Sequence, residues 1–207
     1  MKVLVTAGPT REYIDDVRYI TNASSGLMGA AIAQKAHERG WEVTLVLGPT
    51  HIIPPEGLTI VNVVSAEDMI DKTLEELDKG YDMFVSAAAI ADYTPEKKTK
   101  GKIRSGKDFI LKLKSTRKLV REVRSLFPSL KIVAFKAEYG GSDKQQLDAA
   151  RLLLTHTDYV VLNDLTTGVF GSDINEVTII SREKDVIKLE KNKKEDVATR
   201  LLDIVKD

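Results

Sequence analysis

Cysteine is missing altogether from the 207 residues, so disulfides, a thiolate nucleophile and a cysteine-ligated metal are all excluded. Histidine is scarce. His37, His51 and His156 form no ligand motif and have no partners at catalytic spacing, which assigns them structural roles. Neither sign of charge is in excess: Lys+Arg and Asp+Glu number 31 each, so there is no basic field to hold a nucleic-acid backbone and no acidic tail. Long apolar runs are lacking too. None approaches the roughly 18 residues a membrane span needs, and the N-terminus enters a strand without the charged lead and apolar stretch of a signal peptide. A soluble, cytoplasmic protein with neither nucleic acid nor membrane as partner is expected. Hydrophobic content of 43% is ordinary for a globular core, and the chain reads as a single domain over 1–207.

What is present is an alternation. Short β-rich runs at Val3 to Val5, Val43 to Leu47, Ile60 to Val64, Met83 to Ser86, Ile132 to Phe135 and Tyr159 to Leu162 are separated by helical segments. That pattern predicts an α/β, Rossmann-like fold: a mostly parallel sheet with helices on both faces. Ser65-Ala66-Glu67-Asp68 reads as a helix cap, and Gly40 and Gly80 stand where helices should end. After Asn163 the pattern changes. Glu176 to Ile180 and Val186 to Leu189 read as a hairpin at the sheet edge or a small subdomain, followed by a helix with Val197, Leu201, Ile204 and Val205 on its buried face.

The most informative stretch runs from Ala7 to Gly29, AGPTREYIDDVRYITNASSGLMG, where an α/β domain presents its first βα loop to a ligand. A minimal connection needs only a few residues. The extra ones include Arg11, Arg18, Asn22, Ser24 and Ser25 together with Gly26 and Gly29, and anion handling is the natural purpose. Hydroxyls and glycines in NASSGLMG directly before a helix suit a phosphate, because the first amides of a helix are unpaired and its dipole favours negative charge. The same residues also fit a simple helix cap with close-packing glycines. Neither GxGxxG nor a P-loop ending is present.

Ser86-Ala87-Ala88-Ala89 ends a buried strand with side chains too small to fill the space above the sheet, leaving main-chain groups open to a ligand, and Asp92 follows as a candidate for a ribose hydroxyl. Close helix packing with Asp92 as a cap is the alternative. Tyr93 and Lys97 have the Y-x-x-x-K spacing of short-chain dehydrogenases, but Pro95 between them opposes the helical turn that chemistry requires. The basic stretch YTPEKKTKGKIRSGKDF reads as a loop that is mobile without ligand. Within it Lys102 and Arg104 put two cations on one side of an extended segment, suited to a polyphosphate or to solvation. Gly168 to Glu176 reads as a Gly-rich turn before a strand.

Taken together, AGPTREYIDDVRYITNASSGLMG, SAAAIADYTPEKKTKGKIR and VVLNDLTTGVFGSDINEVTII resemble the phosphopantothenoylcysteine synthetase family of coenzyme A biosynthesis, in the same order over nearly the whole chain. The resemblance implies a ligase that joins the carboxylate of 4′-phosphopantothenate to a nucleotide, releases pyrophosphate, and forms an amide with L-cysteine. Mg2+ accompanies the nucleoside triphosphate, and a homodimer is implied. A flavin-dependent decarboxylase precedes this domain in many microbial members; no such domain is recognised in these residues, so decarboxylation and flavin are expected to be missing here, whether the chain stands alone or is the C-terminal half of a longer protein.

By the same resemblance Asn22 and Lys102 are the catalytic residues, Asn22 as an amide donor to oxyanion charge and Lys102 against the triphosphate. Ser86, Ala87, Ala88, Asp92, Phe135 and the helix start Thr116, Arg117, Lys118, Leu119 match nucleotide contacts, with Ser24 and Gly26 as phosphate contacts. Arg18, Asn22, Ala88 and Ala89 fall to the substrate, Arg18 reaching across a two-fold dimer. Two lysines of CTP-using bacterial members are replaced here by Arg151 and Thr155, and Lys136 in AFKAE resembles the ATP-using form. CTP is favoured, ATP stays open, and no metal ligand is assigned. The rivals are a nicotinamide-dependent reductase and a noncatalytic nucleotide-binding module.

Overall fold

The computed structural model describes residues 1–167, 172–183 and 185–206. The chain runs through β1 (Lys2–Ala7), β2 (Arg11–Tyr13), β3 (Tyr19–Thr21), α1 (Leu27–Glu38), β4 (Glu42–Leu47), β5 (Thr59–Asn62), α2 (Ala66–Leu77), β6 (Met83–Ser86) and β7 (Tyr93–Pro95). It continues through β8 (Leu113–Ser115), α3 (Leu119–Leu126), β9 (Lys131–Glu138), α4 (Asp143–Leu153), β10 (Tyr159–Asp164), β11 (Ile174–Ser181), β12 (Val186–Lys193) and α5 (Lys194–Val205).

One sheet has the order β12-β11-β10-β9-β6-β1-β4-β5. The strands from β10 to β5 pair in parallel, whereas β11 runs antiparallel to both β10 and β12. Counted along the chain, the parallel strands lie 3-2-1-4-5-6, so the winding reverses between β1 and β6, and a ligand crevice belongs above that point. The closing hairpin is therefore an extension of the sheet edge rather than a subdomain. The Gly-rich turn expected before it, at residues 168–171, lies outside the described residues.

Alternation along each strand builds two cores. Val3, Val5 and Ala7 of β1 face α1 and α5, while Leu4 faces the opposite side with Phe84 and Ile132, under α2 and α3. Val160 and Leu162 carry α4 on that second side. Two helix starts are closed by capping boxes, Ser65 with Asp68 on α2 and Ser142 with Gln145 on α4, each satisfying donors that helix geometry leaves unpaired. Gly40 and Gly80 do sit at helix ends, with φ of 77° and 80°.

Two small hairpins were not legible. In β2–β3, the Ala66 amide at the start of α2 donates to Glu12 Oε1 at 2.8 Å, and Arg11 N–H donates to the Val64 carbonyl at 2.8 Å. The inserted loop is thus rooted on a helix more than fifty residues away in sequence. In β7–β8, Tyr93 pairs with Ser115 and Pro95 with Leu113, so the basic stretch forms the hairpin's tip. The extended backbone of Tyr93–Pro95 disposes of the dehydrogenase spacing, because Tyr93 and Lys97 share no helical face.

Gly29 sets how closely α1 lies on β1. A Cβ at this position would come within 2.5 Å of Ala7 Cβ and 3.1 Å of the Thr6 carbonyl oxygen, so the helix could not stay where it is. Alanine would add roughly 1 kcal/mol of helix propensity, but overpacking a tight core costs about 1–3 kcal/mol. Gly29→Ala is expected to lower stability by up to about 2 kcal/mol in urea denaturation; a raised midpoint would show that α1 shifts freely.

Candidate active site

A cleft of about 490 Å3 opens at the carboxyl ends of the parallel strands. One wall is the run from Asn22 to Gly29 leading into α1, the floor is Ala87 to Ile90 beyond β6, and Phe135, Lys136 and Ala137 of β9 close the side. A second recess of about 390 Å3 lies beside it, sharing Ala88, Ile90, Asp92, Phe135 and Lys136 and adding Ser86 and Thr116 to Arg121. Their position matches the reversal of winding, where such sheets place ligands.

The N-terminus of α1 differs from those of the other described α-helices in its left-handed cap and its acid-free first turn. Gly26 occupies its cap with φ of 80°, no side chain caps the helix, and its first turn carries no acid. Acids occupy the first turn of α2, α3, α4 and α5. Ser25 Oγ lies 3.5 Å from Leu27 N, at the limit of a hydrogen bond, and Ser24 Oγ accepts from Gly26 N at 3.3 Å. The helix dipole therefore points its positive end into the cleft with little local negative charge to cancel it. Of the cap reading, the close-packing glycine is present but the capping side chain is not. Gly29 is a packing residue, and the amides before it face the opening.

Asn22 is brought to the cleft floor. Its Nδ2 donates to the Ala89 carbonyl at 3.0 Å and, more weakly, to the Ile90 carbonyl at 3.4 Å, while Thr21 Oγ1 anchors the preceding residue to the Thr10 carbonyl. The small side chains after Ser86 do open space as expected. Their main chain is less available than expected, because β1 runs past the end of β6: Ala87 N–H donates to the Thr6 carbonyl at 3.2 Å and Ala89 N–H to the Gly8 carbonyl at 2.9 Å.

The sequence-predicted residues divide among three places. Asn22, Ser24, Gly26, Ala87, Ala88, Ala89, Asp92 and Phe135 line the cleft, and Ser86, Thr116, Arg117, Lys118 and Leu119 line the recess beside it. Lys102, Arg18 and Arg151 line neither. Arg151 reaches Asp148 on its own helix at 3.3 Å, although its neighbours Leu152 and Leu153 border the recess. Within the recess Lys118 pairs with Asp92 at 2.5 Å, whereas Arg117 is turned onto Glu122 and Asp71. Lys136 pairs with Glu138 at 2.8 Å.

Arg18 belongs to a clasp between the two hairpins. Asp15, fully buried, accepts from Arg18 Nη2 at 2.5 Å and Nε at 3.0 Å, from the backbone of Val17 and Arg18, and from Ile103 N–H at 3.0 Å. Arg18 also donates to the Ile103 carbonyl at 2.7 Å. Gly101 N–H donates to Asp16 Oδ2 at 2.7 Å, and Thr99 N–H to the Ile14 carbonyl at 2.9 Å. The stretch around Lys102 is thus tethered at its neighbours rather than loose, which the sequence did not foretell. Arg11, counted there among the anion-handling cations, instead stacks its guanidinium 4.6 Å from the Tyr19 ring.

Three polar residues that sequence reasoning did not single out complete the cleft's lining: Asn163 from β10, Asn175 from β11 and Lys194 from α5. Asn175 and Lys194 are 2% and 8% exposed, a burial unusual for polar groups and the signal that marks them. Burial pushes the Lys194 ammonium below its ordinary pKa, with Asp173 opposing. No group of three or more His, Asp or Glu able to hold a metal occurs among the described residues. The donor set fits only a divalent cation brought in on phosphates, with Asp92 as the nearest carboxylate to both openings. No helix among the described residues is long and apolar enough to cross a membrane.

Comparison with known proteins gives consistent results. The family model for the DNA/pantothenate metabolism flavoprotein C-terminal domain matches residues 1–207. The chain is 43% identical over 205 residues to the coenzyme A biosynthesis bifunctional protein CoaBC of Thermococcus kodakarensis, covering 98% of this chain and 50% of that protein. It is 37% identical over 207 residues to the protein of the same name from Methanocaldococcus jannaschii, again covering 99% and 50%. The chain thus spans about half the length of the curated relatives it matches. A crystal structure of the C-terminal domain of a CoaBC protein superposes with a TM-score of 0.82 at 32% identity, covering 99% of this chain and 93% of that one.

The Asp15 clasp has a consequence that can be read in solution. The Arg18 guanidinium, helped by the Ile103, Val17 and Arg18 amides, holds the Asp15 carboxyl far below the usual range, against the opposing effect of burial. A depressed carboxylate contributes stability that is full above its unfolded value of about 3.9 and lost as pH falls through the lower folded value. The Ile103 amide should therefore keep its hydrogen-exchange protection at pH 5. Asp15→Asn should lose it and speed tryptic cleavage after Lys102 and Arg104 about 10-fold at neutral pH; an unchanged cleavage rate would show that the clasp does not hold the stretch.

Proposed function

The chain belongs to the DNA/pantothenate metabolism flavoprotein C-terminal domain family, and from that premise we propose that it is a phosphopantothenate–cysteine ligase of coenzyme A biosynthesis. The single observation that carries this reading is the cleft itself: an uncapped helix N-terminus, free of acid in its first turn, facing Asn22, Asp92 and Phe135 where the sheet reverses its winding. Relatives named for coenzyme A biosynthesis share the chain from end to end.

A carboxylate is inert toward amines because its leaving group would be oxide. In the proposed reaction a carboxylate oxygen of 4′-phosphopantothenate attacks the α-phosphorus of the triphosphate, the α–β bridging P–O bond breaks, and pyrophosphate leaves. The amine nitrogen of L-cysteine then attacks the acyl carbon, the bond to the nucleotide oxygen breaks, the nucleoside monophosphate leaves, and the amine proton passes to solvent. No electrons change hands, so no flavin takes part in this step. Catalysis consists of alignment and of stabilising charge on phosphorus and on the acyl oxygen.

The protein's share falls as follows. The α1 amides with Ser24 and Gly26 receive phosphate oxygens, and Ala87, Ala88, Asp92 and Phe135 hold the nucleoside. Lys118 would exchange Asp92 for a phosphate or ribose. Asn22 is the amide donor at the reacting centre, beside Ala88 and Ala89. Mg2+ would ride on the phosphates and neutralise them. Lys102 contacts the triphosphate when the tethered stretch swings in. Arg18 contacts the substrate of a second copy in a homodimer, a role supported by its position outside both openings of its own chain, beside exposed Val17 and Tyr19. CTP is the preferred triphosphate in this reading, and ATP is the alternative that Lys136 favours. The setting is the cytoplasm, where these metabolites meet.

Incubation with 4′-phosphopantothenate, cysteine, Mg2+ and either triphosphate should yield nucleoside monophosphate and pyrophosphate; diphosphate with inorganic phosphate would reject the acyl-nucleotide route. A melting temperature raised by NADPH but by neither CTP nor ATP would point instead to a reductase. Lys102→Gln should slow turnover by about 100-fold or more with the fold intact, and near-normal turnover would remove its role.

A further inference from the structure

The side of the cleft where β10, β11 and the start of α5 come beside α1 holds two unmet demands. Lys194, the first residue of α5, is 8% exposed, and its ammonium donates to the Ser172 carbonyl. Asp173 is close enough to favour the charged form but makes no direct ion pair with it among the described residues. Burying an ammonium against a neutral carbonyl alone is unfavourable, so the position calls for an anion. Asn163 makes the opposite request. Its Oδ1 is shut off from solvent and has no hydrogen-bond partner, so it calls for a donor. Asn175 Nδ2 meets only the Met28 sulfur at 3.7 Å, a weak acceptor.

A phosphate would satisfy the ammonium but brings no donor for the amide oxygen. An α-amino acid brings both, a carboxylate and an amine on one carbon. Building on the ligase reading, we infer that Lys194 and Asn163 form the subsite for the acceptor amino acid, Lys194 binding its α-carboxylate and Asn163 Oδ1 accepting an N–H of its amine. With that N–H held toward β10, the nitrogen lone pair stays free for the acyl-nucleotide that Asn22 holds. Lys194 acts on recognition and Asn163 on alignment. Neither takes part in pyrophosphate release.

Cysteamine, which is cysteine without its carboxylate, separates these roles. The wild-type protein should favour cysteine over cysteamine by about 10-fold or more in kcat/KM, the scale of one charge-assisted hydrogen bond. Lys194→Met should remove that preference through the KM for cysteine, leaving cysteamine kinetics and the pyrophosphate burst without any amine unchanged. Asn163→Leu should weaken both amines alike and spare the burst. Equal losses toward both amines in Lys194→Met, or a slowed burst, would overturn the subsite. If Lys194→Met fails to fold by circular dichroism, the wild-type comparison decides, and equal kcat/KM for the two amines overturns it. No pyrophosphate from wild type with either triphosphate would instead sink the ligase reading, and the subsite with it.

Discussion

Helix α1 delivers the positive end of its backbone to the turning point of the sheet only because no side chain separates it from β1 at Gly29, where a single methyl carbon would stand 2.5 Å from Ala7. That contact fixes the cleft's first wall, and the others follow from it. Gly26 enters the helix with a positive φ against Gly8, leaving no room there for a capping side chain. The preceding segment then has to cross the end of β6, which brings Asn22 onto the Ala89 carbonyl. A helix displaced outward by an ångström or two would carry its amides and Asn22 away from the floor together.

Magnitudes separate the cations that are available to a ligand from those that are not. Lys118 and Asp92 have side chains 48% and 73% exposed, and an ion pair so solvated contributes about 0–1 kcal/mol, easily exchanged for a ribose or a phosphate. Arg18 is different. Its partner Asp15 is fully buried and already receives several donors, so withdrawing the guanidinium would strand a buried charge. Arg18 can therefore meet a ligand only with nitrogen atoms that leave this pair intact, whereas Lys118 can give up Asp92 entirely.

The sheet was legible because its strands are continuous apolar runs buried on both faces, as Val3-Leu4-Val5 shows, and such runs need no long-range knowledge to be recognised. The helix start that lines the cleft was legible for a local reason too, since NASSGLMG carries its hydroxyls and glycines within eight residues. The three-residue strands of β2–β3 and β7–β8 are too short to display alternation, and what holds the first of them is the Glu12 contact to Ala66, which no local pattern announces. Asn163, Asn175 and Lys194 were missed for a related reason. They lie on three elements, and only the antiparallel return of β11 and the start of α5 bring them beside α1. Expectation and structure parted most clearly around Lys102, where basic, glycine-punctuated sequence reads as free loop yet is tethered by carboxylates that sit in the other hairpin.

Strand β12 ends the sheet with one row of backbone donors and acceptors that no neighbouring strand among the described residues takes up. Such a border invites copies of a protein to stack edge to edge into aggregates. Here it is written VIKLEKNK, exposed at nearly every position, with Lys188 bridged to Glu176 and further lysines along its length. Bringing two such borders together would juxtapose like charges and strip water from them. The hairpin thus shields β10 and the cleft wall behind it, and makes the sheet's last strand a poor template for fibre growth.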